Sequence, residues 1–135
     1  MTMREIFTPD DVVSSYSRAQ AIADGELVDV TDTAAEAGFK VPVALSREVW
    51  ADCVEWKEAD NARKGTLQDQ SGRLWDVVYM AFQAARRALK GQPRVLFSVY
   101  RVPREGKGVQ ARPVNLLLQI GPGDDALPVI TITTP

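Results

Sequence analysis

Residues 71–91, SGRLWDVVYMAFQAARRALKG, constrain the fold most, because period, start and stop signals all agree on one long helix. At about 100° per residue, Leu74, Trp75, Val77, Val78, Ala81, Phe82, Ala84, Ala85, Ala88 and Leu89 fall on one half of the cylinder. Asp76, Tyr79, Gln83, Arg86, Arg87 and Lys90 take the other half. Ser71 is placed to cap the first turn, the cations suit the negative end of the dipole, and Gly91 with Pro93 stops the helix. A stripe this wide needs a sheet or other helices to cover it.

The sheet is expected downstream. Residues 95–102, 114–120 and 129–134 are rich in β-branched and large apolar side chains, and the last two runs alternate. Their connections are too short for helical crossovers, so the simplest arrangement is an antiparallel C-terminal meander. Upstream, Thr8 and Pro9 open a first helix that Asp24-Gly25 ends. Residues 27–30 and 41–45 read as extended, Thr31 or Asp32 caps a short helix ended by Gly38, and Ser46 caps a third helix. Residues 58–72 contain few large apolar side chains and read as an exposed, mobile loop. The predicted class is α+β: an antiparallel sheet of at least three strands packed by a long amphipathic helix, with shorter N-terminal helices, in one domain over residues 1–135.

The chain has no histidine and one cysteine, Cys53. Ser-His-Asp triads, thiolate–imidazole pairs and Cys/His zinc sites are therefore excluded within this chain. No complete catalytic motif, metal site or cofactor motif appears, and the reading leans away from an enzyme. Cys53 shares an arc with Val49, Trp50 and Trp56 and reads as a buried structural thiol, with Lys57 its nearest activating candidate. The N-terminus has no apolar core segment and no run reaches the ~20 residues of a membrane span, so a cytoplasmic location is expected.

Charge is distributed unevenly. Residues 1–70 carry 7 Lys+Arg against 14 Asp+Glu, net −7, and residues 71–135 carry 9 against 4, net +5. This predicts either two opposed surfaces or a neutralising contact between the halves. The acidic candidates for binding a protein partner are Asp24, Glu26, Asp29, Asp32 and Glu36 in one stretch, and Glu55, Glu58 and Asp60 in another. Arg101, Arg104, Lys107 and Arg112, around a loop that Gly106 and Gly108 should loosen, are the candidates for nucleic-acid contact. Asp124 and Asp125 in GPGDD can be read as a divalent-metal pair, but glycine and aspartate between two strands are also what a turn requires.

The segments YSRAQAIADGELVDV (16–30), PVALSREVW (42–50), SGRLWDV (71–77), GPGDD (121–125) and PVITI (128–132) occur in an order that resembles a family of small proteins. That family is classed as a domain of unknown function and is found on plasmids, integrative elements and phages. The resemblance spans nearly the whole chain and implies an accessory gene of a mobile element, a company that includes inhibitors of host defence. The leading expectation is a non-enzymatic protein-binding module, acting on a host CRISPR- or restriction-type complex through its acidic surface. Nucleic-acid binding by the 101–112 loop is the alternative, and a metal-dependent enzyme at Asp124 and Asp125 is a weaker one.

Overall fold

The computed structural model describes residues 16–88 and 90–135. Five strands form one mixed sheet in the order β1-β2-β5-β4-β3. Their ranges are β1 Leu27–Asp29, β2 Val43–Ser46, β3 Arg94–Arg101, β4 Arg112–Pro122 and β5 Pro128–Thr133. The helices are α1 Arg18–Ala23, α2 Thr31–Ala37, α3 Arg47–Val49, α4 Glu58–Lys64 and α5 Gln70–Arg87. A π-helical turn, Trp50–Val54, continues α3. The fold is α+β, and β3, β4 and β5 make the expected antiparallel meander.

One face of the sheet carries the core. Val43, Leu45, Val95, Phe97, Val99, Leu116, Leu118, Ile130 and Ile132 meet Val77, Val78, Ala81 and Ala84 of α5 there, with Ala34 of α2 and Cys53 and Val54 of the π turn. Alternation gives this directly: every second residue of β3 is buried. Glycine is needed at Gly38, which ends α2 at φ 126°, because a Cβ there would lie 2.5 Å from the ring of Phe82. Phe82 in turn meets Phe39 edge-on at 5.3 Å.

Four expectations change. Helix α5 begins at Gln70 with Asp69 as its cap, whose Oδ1 accepts from the Gly72 N–H, and it ends at Arg87, before Gly91. Trp75, placed on the buried half by its period, stacks on Tyr79 at the surface instead. Of the helix expected from Thr8 to Asp24, residues 8–15 lie outside the described residues, and α1 begins only after Ser17, which is extended and caps it through a capping box with Gln20. The expected loop at 58–72 contains helix α4, with Asp60 and Lys64 buried. Polar side chains do there what apolar ones do elsewhere. Asn61 accepts from Trp56 Nε1 at 2.9 Å and from the Gln68 N–H at 2.8 Å, and donates to the Gln68 carbonyl at 2.9 Å.

Beyond the meander, β2 pairs in parallel with β5 and antiparallel with β1, so the two short N-terminal strands extend the sheet past its last strand. Among the described residues the sheet edges are therefore β1 on one side and β3 on the other. No helix of the described residues is long and apolar enough to cross a membrane.

Candidate functional site

The charged residues sort by sheet edge, and the sorting starts from the π turn. Its wide turn directs Cys53 and Val54 inward and leaves Asp52 and Glu55 beside the end of β3. Arg101, the last residue of β3, donates to both oxygens of Asp52, Nε at 3.0 Å and Nη2 at 3.1 Å. Arg104 donates Nη1 to Glu55 and Nε to Asp60 at 2.8 Å. Helix α4 holds the same loop from below. Arg63 donates to the Arg104 carbonyl at 2.8 Å, and the buried Lys64 donates to the carbonyls of Gly106 and Gly108. Thus the loop after β3, expected to be a loose basic flap, is fastened by cations of the acidic half and by its own arginines.

Asp60 is the centre of this seam. Its oxygens accept from Arg63 at 2.8 Å, from the Lys57 N–H at 2.8 Å and from Arg104. These bonds, Arg63's foremost, hold its carboxyl well below the usual range. Of the four candidate nucleic-acid residues, Arg101 and Arg104 are thereby ion-paired, while Lys107 and Arg112 are exposed with no ion-pair partner among the described residues.

The eight acidic candidates do not converge. Glu55 and Asp60 belong to the seam near β3, with Glu58 exposed beside them at the start of α4. The other five lie around the opposite edge, on or next to α1, β1 and α2. There Asp24 accepts from the Tyr16 hydroxyl at 2.7 Å, and Glu26 pairs with Arg47 at 3.1 Å. Asp29 accepts from the Thr31 N–H and hydroxyl at the start of α2. Asp32 and Glu36 are exposed one helical turn apart on α2, with no cation partner among the described residues. At this β1–α2 edge Asp32 and Glu36 are thus the acidic candidates left unpaired among the described residues, as Glu58 is near β3.

The GPGDD segment closes the β4–β5 hairpin. Both oxygens of Asp124 accept backbone N–H bonds at the start of α1, from Arg18 at 2.8 Å and Ala19 at 3.0 Å, and these bonds lower its pKa. Asp125 accepts from the Leu127 N–H within the turn at 3.1 Å. Asp124 thus ties the hairpin to α1 while Asp125 closes the turn, and among the described residues no cluster of three or more His, Cys, Asp or Glu side chains is grouped to hold a metal. Arg18 completes the tie by donating to the Thr131 hydroxyl and the Ile130 carbonyl, both at 2.7 Å.

Cys53 is buried, and burial pushes its thiol up to about 11. Its sulfur is 3.9 Å from the Asp52 carboxylate, and Lys57 is exposed. A native thiol of this kind is expected to resist a thiol reagent at pH 8, reacting at least ~100-fold more slowly than in urea-unfolded protein. Equal rates in the two states, read by absorbance, would contradict the packing.

Sequence reasoning passed over Arg73. Within the apolar stripe of α5 it is 5% exposed, and it donates to the carbonyls of Val54 (3.2 Å), Asp52 (3.2 Å) and Val102 (2.9 Å) and to Gln68 Oε1 (2.8 Å). Its guanidinium lies 4.4 Å from the centre of a Trp56 ring. The signal was its spacing: Arg73 precedes Val77 by four and Ala84 by eleven, on the face that α5 buries. No curated protein and no solved structure shows significant similarity to the chain. A family profile does cover residues 3–135, and the chain belongs to that family, a family of unknown function (DUF6573).

Proposed function

We propose that this chain is a non-enzymatic protein-binding module, an accessory of a mobile genetic element, that meets a basic surface of its partner through the β1–α2 edge. The observation that carries the reading is the uneven commitment of charge. Asp52, Glu55 and Asp60 are paired with Arg101 and Arg104, whereas Asp32 and Glu36 stand exposed and unpaired among the described residues. Exposed carboxylates on a firmly packed helix favour association with a cationic groove and raise its rate. Grooves that hold nucleic acid are cationic, so a host nucleic-acid-handling defence complex, of CRISPR or restriction type, is the class of partner that fits. The resemblance to proteins of plasmids, integrative elements and phages supports the same class.

Binding to purified complexes of these types, measured with and without their nucleic acid, tests the proposal. Wild-type protein is expected to compete with nucleic acid, and the double reversal Asp32→Lys/Glu36→Lys is expected to weaken binding at least ~10-fold. Undiminished binding by that variant would remove the edge from the account. Nucleic-acid binding by the 101–112 loop retains Lys107 and Arg112 as uncommitted cations, which limits its salt slope to about −2. A steeper slope for binding of the chain itself to DNA or RNA would favour that second reading.

A further inference from the structure

Among the described residues, strand β3 is a free edge, hydrogen-bonded only to β4. The bonding frame follows from one contact: the Ile120 N–H donates to the Pro93 carbonyl at 2.8 Å, and Pro93 is the next position of the β3–β4 register. Ladder bonds alternate along an antiparallel pair, so the odd-numbered residues of β3 bond to β4. The N–H and C=O groups of Leu96, Ser98 and Tyr100 therefore point away from the sheet. The same frame avoids asking Pro113, opposite Tyr100, for an N–H it lacks.

This edge is unguarded. Residues 95–100 contain no proline and no charge, the devices that usually keep a strand edge from pairing. Leu96 is 67% and Tyr100 69% exposed, and Ser98 between them is exposed as well. All three are on the face away from the core. Beside the edge, on the core side, a groove of about 420 Å³ opens between β3 and α5, lined by Met80, Ala84, Arg87, Ala88, Val95 and Phe97 among others.

We propose that β3 pairs antiparallel with β3 of a second copy about a two-fold axis at Ser98, joining two five-stranded sheets into one. The strand is self-complementary in that register. Ser98 faces its own counterpart, and each Leu96 lies across from a Tyr100, an aliphatic–aromatic cross-strand pair made twice. Each of these is a bonded pair in the frame above, giving six new backbone hydrogen bonds. Arg94 falls opposite Val102, so no arginine opposes another, and the α5 grooves of the two copies meet on one side of the joined sheet. The interface is isologous, which closes the assembly at two copies. It leaves both β1–α2 edges free at the outer ends, so the dimer and the acidic docking edge can fail independently.

Light-scattering mass of the full chain over a concentration series is the first test. The expected result is a rise from 14.8 kDa toward twice that mass. Ser98→Pro deletes an N–H that β4 does not use, and should raise the dimer dissociation constant about 30-fold through its two lost bonds. Ser98→Cys leaves the backbone bonds intact and brings two thiols together on the axis, at a Cα separation of ~5.5 Å that a disulfide can span. Mild oxidation should then give a cross-linked dimer, while the buried Cys53 does not contribute. A constant 14.8 kDa mass up to the highest concentration would overturn the proposal. So would a dimer whose Ser98→Cys form does not cross-link, since its interface would lie elsewhere. Capture by the monomer of an extended peptide along β3 would overturn it too, by giving the edge another occupant.

Discussion

Replacing Arg73 with methionine is expected to lower the stability of this domain by about 3–5 kcal/mol, a large share of what a single domain possesses. Methionine fills much of the same volume, so the loss is one of polar partners. The guanidinium serves four oxygens at once, those of Asp52, Val54, Val102 and Gln68. Two of them are carbonyls at the C-terminal end of the π turn, where the peptide dipoles leave partial negative charge. Buried acceptors left without a donor are costly. Arg73→Lys should recover only part of the loss, because one ammonium cannot span the fork that reaches both the π turn and the end of β3. Urea midpoints of the two variants check this, and a loss below ~1 kcal/mol for methionine would mean that water replaces the side chain at little cost.

The second large effect is expected at the seam. Arg104→Met frees Glu55 and removes one of three donors from Asp60, so the loop that follows β3 loses its side-chain anchors while Arg63 and Lys64 still grip its carbonyls. Proteolysis between residues 104 and 111 is expected to accelerate on the order of tenfold without global unfolding. The pH dependence has a definite sign. Asp60 binds its proton less readily in the folded chain than in the unfolded one, so its contribution is fully present above the ordinary aspartate pKa of about 3.9 and is lost as pH falls below it. Wild-type stability should therefore decline on acidification from about pH 5. Asp60→Asn should start lower at neutral pH and decline less steeply. An unchanged acid slope in that variant would show that the carboxylate is not held as its geometry implies.

Much of the architecture was legible because period and composition are local properties. The apolar stripe of α5, the cap at Ser46 and the alternation of β5 each appear within a dozen residues and survive in the fold, whereas the alternation expected of β4 gives way to three consecutive buried leucines, Leu116, Leu117 and Leu118, with Ile120 exposed. What escaped depends on partners distant in sequence. The parallel pairing of β2 with β5 leaves no mark in either strand alone, since a four-residue strand with three buried side chains fits several sheets. Helix α4 was hidden because its buried face is made of Asp60 and Lys64, whose partners Arg104, Gly106 and Gly108 lie more than forty positions away. The charge imbalance was plain in the sequence, and a neutralising contact was one of its two readings. Which acids it would consume was not: Glu55 and Asp60 looked equivalent to Asp32 and Glu36 until the π turn and α4 brought them against Arg104.

The central claim is that Asp52, Glu55 and Asp60 of the acidic half are spent on Arg101 and Arg104 of the basic half at this seam, while Asp32 and Glu36 at the β1–α2 edge stay unpaired among the described residues. A double-mutant cycle on Arg104→Met and Asp60→Asn measures it most directly. Coupling predicts that the double variant loses less than the sum of the two single losses, because either change alone already breaks the Arg104–Asp60 bond, while the bonds to Glu55, Arg63 and Lys57 are lost separately. Losses that simply add would contradict the account, since the two side chains would then be acting apart.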